Sequence, residues 1–426
     1  MVAVLLGAGG LLSVDAGFPQ VTLLRKAGKI LAKPRDPKEV SARQALCTAL
    51  AATVGTGNIV GVAGAICLGG PGAVFWMWVS GFLGMATKFA EVTLAGAYAK
   101  GKIGGPMYTI EGGLPSKARF LAVLYCIFGL GAAFGVGNAT QIGAVVSGVH
   151  QVQRFLGYAP TGLWDLLMGL LLATCVGAVL LGGVRRIGAA AERLVPGASL
   201  GYVLLCGMVI LSRRELLLPS LRSIFFGAFS PRAVTGGAIG SVAVSLSVGC
   251  ARGIFSNEAG MGTASMAYTA APGESVEKGI LGLMEVFVDT LVICTLTALA
   301  VLCGSESIPY GVDAGGELVA RVFGTVLGPW ASVALTGFLC VFAFATVLGW
   351  GLYGARCGEY LFGPGFLKVF PWLQMAGVVL GAVLESEKVW LLAEVFNALM
   401  AVPNLAALVF LRKRLRELVF QYRNRA

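Results

Sequence analysis

The chain alternates between long apolar runs and short polar connections along most of its length. A helix needs about 20 apolar residues to cross the hydrocarbon core of a membrane. Ten runs approach or exceed that length: 45–68, 71–97, 120–149, 163–184, 194–212, 233–251, 279–304, 322–354, 369–384 and 389–411. A shorter apolar segment, 2–14, predicts an eleventh membrane helix, and its flanks do not fit a secretory signal peptide. The pattern predicts an all-α integral membrane protein.

Composition agrees with this prediction. The chain is 57% hydrophobic and 12% charged, whereas soluble domains are about 25% charged. A formal net charge of +11 would suggest a nucleic-acid partner in a soluble protein. Here the basic residues lie between the apolar runs, so we expect a lipid bilayer as the partner and no nucleic acid. The ten cysteines form no Cys-x-x-Cys pair and lie mostly inside apolar runs, where they act as small apolar residues.

The basic residues also predict the orientation, because cytoplasmic connections of membrane proteins are enriched in Lys and Arg. If the N-terminus lies outside, 24 of the 32 Lys and Arg fall in cytoplasmic segments and 7 in external ones. Eleven crossings then place the tail 412–426 in the cytoplasm. The connection 213–232 carries four of the external arginines, and we expect it to lie along the membrane interface.

Ten of the eleven predicted helices divide into two sets of five, 42–212 and 233–411. An odd number of crossings forces the second set to run through the membrane in the opposite direction. Inverted repeats of this kind build many secondary transporters, with the substrate site where the first helix of each repeat is broken. Both first helices are rich in small residues: the first contains AATVGTGNIVGVAG, 51–64, and the second TGGAIGSVAVSLSVGCARG, 235–253. We expect both helices to be interrupted there.

The centre of the first stretch favours unwinding. Each glycine costs a helix about 1 kcal/mol relative to alanine, and the freed backbone groups need partners in lipid. Near Gly55, Thr56 and Gly57, free N–H groups and the helix dipole would bind a carboxylate. The carbonyl groups of Ala51 and Val54 would bind a cation such as sodium.

Two features of this stretch concern the ligand itself. The Asn58 amide can donate to a carboxylate or accept from an ammonium group. A side chain at Gly55 or Gly57 would take the ligand's place. Two other interpretations stay open: Gly57 and Gly61 have the spacing of a helix-packing motif, and GTGNIVG resembles a dinucleotide loop that lacks the required preceding strand.

Other polar residues inside apolar runs are candidates for the same site. Gln141 lies among glycines in FGVGNATQIG and is a candidate substrate contact, or else an interhelical hydrogen-bond partner. Trp350 lies deep in a run, whereas tryptophan is typical of interfaces, so it either closes a pocket or fills the core. Thr346 could supply a hydroxyl ligand to a cation.

Charged residues inside membrane helices are functional candidates by default. Lys88 and Glu91 have the spacing of a structural ion pair near the cytoplasmic end of their helix. Glu285 and Asp289, four residues apart, form either a proton relay or a contact with another helix. The single histidine, His150, favours a structural role.

Three motifs together resemble one family, the alanine or glycine:cation symporters. They are ALAATVGTGNIVGVAGAICLGGPGAVFWMWVSGFLGMATKFAE, GGPMYTIEGG and GIFSNEAGMGTASMAYTAA, and the resemblance extends over nearly the whole chain. It implies a leucine-transporter-type fold of five plus five helices with one extra N-terminal helix. It also implies sodium-coupled symport of a small neutral amino acid, alanine or glycine, across a bacterial inner membrane.

The resemblance also carries individual residues into this picture. It puts Asn58, Gln141 and Trp350 in the substrate pocket, and Ala51, Val54 and Thr346 at a sodium ion. Relatives usually carry two adjacent hydroxyls where this chain has Ala345 and Thr346, so one sodium ligand is missing. We expect no cofactor beyond the co-transported sodium ion, and the sequence does not predict an oligomeric state.

Other functions fit less well. Proton-coupled amino-acid transport is the alternative closest to sodium symport. A membrane enzyme lacks support, because no P-loop or His/Asp/Glu metal cluster is present. A channel would repeat a polar ring along its pore. The first prediction is therefore a transporter and not an enzyme.

Overall fold

The computed structural model describes residues 1–33, 39–384 and 386–425, and it describes only the backbone of 386–394. The described chain is helical. Its main helices are α1 (Val2–Asp15), α2 (Ala42–Thr53), α3 (Gly57–Gly69), α4 (Gly72–Ala97), α5 (Ser116–Phe155), α6 (Gly162–Leu180), α7 (Gly183–Ser212), α8 (Leu217–Phe229), α9 (Val242–Asn257), α10 (Ser275–Gly304), α11 (Gly315–Leu327), α12 (Pro329–Phe362), α13 (Phe366–Val383), α14 (Ser386–Phe410) and α15 (Arg412–Arg425). Short helices lie at Pro19–Thr22, Leu24–Lys26, Ala27–Leu31, Pro106–Gly113, Pro231–Val234 and Ser265–Tyr268. The all-α prediction is confirmed.

Within the described residues, seven helices are long and apolar enough to cross a membrane, or nine if each of two bent pairs forms one span. These seven are α4, α5, α6, α7, α10, α12 and α13. The bent pairs are α2 with α3 and the end of α14 with α15, while α1 is a shorter apolar helix. The division into repeats 42–212 and 233–411 stays a prediction, although α2 begins at Ala42 and α7 ends at Ser212. Ala426, the last residue of the predicted tail, lies outside the described residues.

Helix α2 has a well-defined start and an early end. The Ser41 side chain accepts a hydrogen bond from the Gln44 N–H at 3.1 Å, and the Gln44 side chain accepts one from the Ser41 N–H at 3.1 Å. This capping box satisfies two backbone donors that the first turn leaves free. The helix stops at Thr53, and the chain bends by 55° before α3. The predicted break at Gly55–Gly57 is therefore present.

The second half breaks at a different place from the one predicted. Helix α9 runs without interruption from Val242 to Asn257, and its N-cap Ser241 accepts from the Val244 N–H at 3.3 Å. Residues 235–241 are not helical, but no interruption lies within 242–253, where the small residues allow close packing inside an intact helix. Gly249, for example, lies directly against the Ala73 carbonyl of α4. The chain leaves the helical path only after Asn257, and short helix Ser265–Tyr268 follows.

Helix α4 lies at the centre of the packing around these breaks. It contacts α9, α10 and α1. Helix α15 turns by 61° from α14 and packs back on α1. There Asp15 forms ion pairs with Arg412 and Arg416. Residues of both breaks are thus held between helices that are distant in sequence.

Candidate functional site

The break between α2 and α3 is stabilised by its own side chains. Val54 adopts an extended conformation with φ −76° and ψ 95°, which ends the helical hydrogen-bond pattern. The freed N–H of Gly55 donates to Oδ1 of Asn58 at 2.8 Å. The Asn58 amide therefore substitutes for the backbone acceptor that a continuous helix would supply four residues earlier, the Ala51 carbonyl, which explains why an amide follows the glycines.

The other end of the Asn58 amide reaches two more helices. Its Nδ2 donates to Oδ1 of Asp289 on α10 at 2.6 Å and to the hydroxyl of Ser256 on α9 at 2.9 Å. The Ser256 hydroxyl in turn donates to Oδ2 of Asp289 at 2.8 Å. Asn58 and Asp289 are fully buried. Asn58 therefore joins both halves of the chain at the break, and Asp289 provides a negative charge that favours a cation nearby.

Gly55 packs against both the predicted sodium ligand Thr346 and the predicted substrate amide of Gln141. A Cβ atom on Gly55 would come within 2.8 Å of the Thr346 hydroxyl and 3.2 Å of Oε1 of Gln141. The Thr346 hydroxyl donates to the carbonyl oxygen of Ala51 at 3.0 Å. The structure thus brings Ala51, Thr346 and Gln141 to the same turn of backbone, although they come from three separate helices.

Gln141 binds the break directly. Its Oε1 accepts from the Thr56 hydroxyl at 3.1 Å and from the Thr56 N–H at 3.4 Å. Its Nε2 donates to the Val136 carbonyl at 3.2 Å, which fixes the orientation of the amide. Both side chains are almost fully buried. Gln141 therefore occupies free N–H and O–H donors at the place where a ligand carboxylate was predicted.

Trp350 is fully buried on α12, one turn after Thr346. Its indole packs so closely on Gly137 of α5 that a Cβ atom on this glycine would collide with the Trp350 side chain. The indole N–H donates to Oε1 of Glu258 at 2.8 Å. Trp350 therefore connects the helix that carries Gln141 to the break after α9.

The break after α9 begins at Glu258, which has a left-handed conformation with φ 54°. Glu91 of α4 stabilises the following backbone: its Oε1 accepts from the N–H groups of Gly260 at 2.7 Å and Gly262 at 3.0 Å. Asn404 of α14 donates to the same oxygen at 2.9 Å. Freed backbone donors inside a membrane need acceptors, and a buried carboxylate supplies one here.

The predicted ion pair between Lys88 and Glu91 is wrong. Lys88 instead pairs with Glu285 of α10, with 3.3 Å between Nζ and Oε1, and both side chains are fully buried. Glu285 also accepts from the Tyr268 hydroxyl at 2.9 Å. The packing of the helices determines the partner of Lys88: Glu91 accepts hydrogen bonds from the backbone after α9, and Lys88 lies against Glu285 of α10. Glu285 and Asp289 consequently have different partners and form no pair with each other.

A cavity of about 600 Å³ lies next to the first break. Its lining includes Gly57, Phe255, Arg252 and Glu317. A Cβ atom on Gly57 would meet the Phe255 ring at 3.4 Å, which is an ordinary contact distance. The ring therefore borders both the cavity and the break. Space at Gly57 admits a Cβ atom, so steric exclusion of side chains applies to Gly55 and not to Gly57.

Sequence reasoning missed Phe255, Ser256 and Glu258 as members of this site. One signal was available, since Glu258 is an acidic residue in an apolar context followed by Gly260 and Gly262, which permit a break. His150 lies outside this cluster, and its Nε2 lies 2.6 Å from Oδ1 of Asp165, so its structural role stays a prediction. Among the described residues, no group of three His, Cys, Asp or Glu side chains is arranged to hold a metal ion.

Comparison with known sequences gives matches along the whole chain. The model of a family described as the sodium:alanine symporter family matches residues 1–426. The chain is 40% identical to the sodium/alanine symporter AgcS of Methanococcus maripaludis over 96% of its length and 91% of that protein. It is also 35% identical to the probable sodium/glutamine symporter GlnT of Bacillus subtilis, over 97% of this chain and 85% of that protein.

Comparison with solved structures identifies the fold. The structure matches MhsT in complex with L-phenylalanine with a TM-score of 0.61 at 14% identity, covering 91% of this chain and 99% of that one. It matches a Na⁺-coupled sialic acid symporter with a TM-score of 0.55 at 13% identity, covering 95% of this chain and 86% of that one. Both are transporters of the leucine-transporter type, so that part of the fold prediction is confirmed.

Proposed function

The chain belongs to the sodium:alanine symporter family, and on this premise we propose that it imports a small neutral amino acid together with sodium by alternating access. Family and fold are those of secondary transporters and not of enzymes. Sodium-coupled amino-acid symport is the activity that both support. Alanine or glycine as the substrate, and the residues that bind it, belong to the proposal.

The observation that carries this proposal is the surroundings of Gly55. The oxygens of Ala51 and Thr346 lie 3.0 Å apart, and the Thr346 hydroxyl and the Gln141 amide both border the position that a Cβ atom on Gly55 would take. Sodium is a hard cation that takes oxygen ligands, and a hydroxyl hydrogen can rotate away so that its oxygen faces the ion. We assign the sodium ligands to the carbonyls of Ala51 and Val54 and to the Thr346 hydroxyl.

The substrate would bind at the adjacent turn. Its carboxylate would take the N–H groups of Gly55, Thr56 and Gly57, which requires the Gln141 amide and the Asn58 amide to release or share them. Trp350 would close the pocket on its inner side. The residues at the break are almost completely buried, and this lack of space favours a small side chain on the substrate over a large one.

The orientation is part of the same proposal. The distribution of basic residues supports a multi-pass protein of the bacterial inner membrane with its C-terminus in the cytoplasm. The cavity next to Gly57 then opens towards the outside. Substrate and sodium would enter through it and leave on the side of Glu258.

Uptake of radiolabelled alanine into proteoliposomes tests the function. Sodium and proton gradients are imposed separately, and unlabelled alanine, glycine, serine and glutamine compete in turn. We expect an inward sodium gradient to drive accumulation, with alanine or glycine as the strongest competitor. Accumulation with a proton gradient alone, or glutamine as the strongest competitor, would contradict the proposal.

A further inference from the structure

The half of the structure that contains Glu258, called the inner half because the proposed orientation turns it towards the cytoplasm, encloses more negative than positive charge. Glu91, Glu258, Glu285 and Asp289 are at most 2% exposed, and the fully buried Lys88 is the cation among them. Each ion buried in a low-dielectric interior costs several kcal/mol unless it is paired and hydrogen-bonded. One ammonium group does not balance four carboxylates, so each remaining carboxylate depends on hydrogen bonds to its charged form or on a bound proton.

Three of these carboxylates have strong compensating partners. Glu285 faces Lys88 at 3.3 Å and accepts from the Tyr268 hydroxyl. Glu91 accepts from two backbone N–H groups and the Asn404 amide, all at Oε1, while its Oε2 has no hydrogen-bond partner among the described residues. Asp289 accepts from Asn58, Ser256 and Thr290. A carboxylate that accepts several such bonds is stable in its charged form.

Glu258 accepts fewer hydrogen bonds than Glu91 or Asp289 and, unlike Glu285, forms no ion pair within the described residues. Each of its oxygens has one neutral partner: Oε1 accepts from the Trp350 indole at 2.8 Å, and Oε2 lies 2.6 Å from the Thr263 hydroxyl. Glu258 also follows the last residue of α9, where the helix dipole presents its negative end and opposes an anion. Its left-handed backbone conformation, uncommon for a residue with a side chain, places the carboxyl group there.

A neutral Glu258 fits the same hydrogen bonds. The Trp350 indole is only a donor, so Oε1 remains the acceptor. A proton on Oε2 would point at the Thr263 hydroxyl oxygen, which can accept as well as donate. The Tyr353 hydroxyl, buried and without a hydrogen-bond partner among the described residues, interacts electrostatically with both Glu258 and Glu285.

We propose that Glu258 binds a proton while the inner half of the protein is closed and releases it to cytoplasmic water when this half opens. Opening hydrates the carboxylate and removes the cost of its charge. The proton leaves Oε2 for water, and it returns from water before closure. This inference rests on the proposed alternating access, and it adds a proton-binding residue to the sodium and amino-acid sites.

The charged and titratable groups that interact electrostatically with Glu258 lie on four helices: Lys88 on α4, Tyr125 on α5, Glu285 on α10 and Tyr353 on α12. Lys88 favours the anionic form of Glu258 and Glu285 opposes it. Lys88 is already paired with Glu285. The remaining groups therefore favour the protonated form.

The same geometry links the proton to the substrate pocket. Trp350 donates to Glu258 and packs on Gly137, four residues before Gln141. Release of the proton makes Oε1 a stronger acceptor and changes how firmly the indole is held. Glu258 is thus a positioning residue for Trp350 as well as a proton-binding group.

Infrared spectroscopy of the purified full-length protein tests the first part. Protonated carboxyl groups have a distinct C=O stretching band, and selective carbon-13 labelling of glutamate separates Glu from Asp. We expect the wild type at neutral pH to show this band and Glu258→Gln to lose it. The matched variant Glu91→Gln should retain it. Thr263→Val keeps the carboxyl group but removes its hydroxyl partner, so the band should shift.

The absence of a glutamate band in the wild type, or its survival in Glu258→Gln, would overturn the proposal. If Glu258→Gln does not fold, the glutamate band of Thr263→Val tests the proposal instead. A shifted band supports protonation of Glu258, whereas an unshifted band belongs to another carboxyl group and overturns the proposal. This measurement needs neither substrate nor sodium. A wrong amino acid or a wrong coupling ion therefore leaves its result unchanged.

Transport measurements test the release step. The internal pH of proteoliposomes is varied while external pH, external sodium and alanine stay constant. We expect wild-type uptake to fall several-fold as the internal pH is lowered, because internal protons oppose release. Glu258→Gln has no proton to release, so its uptake should not respond to internal pH, whereas Glu91→Gln should respond like the wild type. A wild type that does not respond, or a Glu258→Gln protein that responds like it, would overturn the release step.

Discussion

The Thr346 hydroxyl of α12 donates a hydrogen bond to the Ala51 carbonyl of α2 at 3.0 Å, across 295 positions of sequence. This contact ties the first broken helix to a helix of the second half. In the proposed transport cycle, a sodium ion would take both oxygens as ligands and replace the hydrogen bond. Sodium would then stabilise the contact between the two halves at the break.

Substitutions at Thr346 and Ala345 should change the half-saturating sodium concentration in opposite directions. Loss of an interaction with a charged group typically costs about 1.5–3 kcal/mol, which corresponds to about 10–100-fold in an equilibrium constant. We expect Thr346→Ala to raise the half-saturating sodium concentration by about that factor. Ala345→Thr, which restores an adjacent hydroxyl, should lower it. Alanine uptake titrated with sodium measures both, and an unchanged Thr346→Ala titration would place the ion elsewhere.

Gly55 and Gly57 should tolerate alanine differently. A Cβ atom on Gly55 would lie 2.8 Å from the Thr346 hydroxyl, whereas one on Gly57 would make an ordinary contact with Phe255 at 3.4 Å. We expect Gly55→Ala to abolish most sodium-dependent uptake and Gly57→Ala to retain a substantial part of it. Initial uptake rates, normalised to protein in the membrane, make the comparison. Equal losses in both variants would indicate that backbone flexibility, rather than space, is limiting.

Asn58 should affect stability as well as substrate affinity. Its amide satisfies the Gly55 N–H and donates to the buried Asp289 carboxylate. Removal of one partner of a buried polar group typically costs about 1–3 kcal/mol. We expect Asn58→Ala to lower the thermal unfolding midpoint of the purified protein and to weaken alanine binding. Normal alanine binding by a folded Asn58→Ala protein would exclude a role for this break in recognition.

The buried pair of Lys88 and Glu285 should be more sensitive to single than to double substitution. Removal of one partner of a buried ion pair typically costs about 3–5 kcal/mol, because it leaves an uncompensated charge. We expect Lys88→Met to destabilise the protein strongly and Lys88→Met with Glu285→Gln to recover much of the loss. Thermal unfolding of the purified variants measures this coupling. Additive effects would show that the two charges do not depend on each other.

The partners of Lys88 show where sequence reasoning reached its limit. The spacing of Lys88 and Glu91 on one helix suggested a pair, but Glu91 contacts backbone N–H groups of a break far along the chain. The second break was also expected too early. Small residues in 235–253 serve close helix packing, and the same residue types are compatible with either role.

The sequence by itself predicted an all-α membrane protein and the break at Gly55–Gly57, and it offered Asn58, Gln141, Thr346 and Trp350 as candidate residues. These features depend on local properties: the transfer of each segment into lipid and the cost of glycine in a helix. Only the tertiary structure decided that Gln141 binds Thr56, that Asp289 binds Asn58 and that Glu258 binds Trp350. Such contacts join residues on different helices, and their partners depend on how those helices pack, which no local pattern specifies.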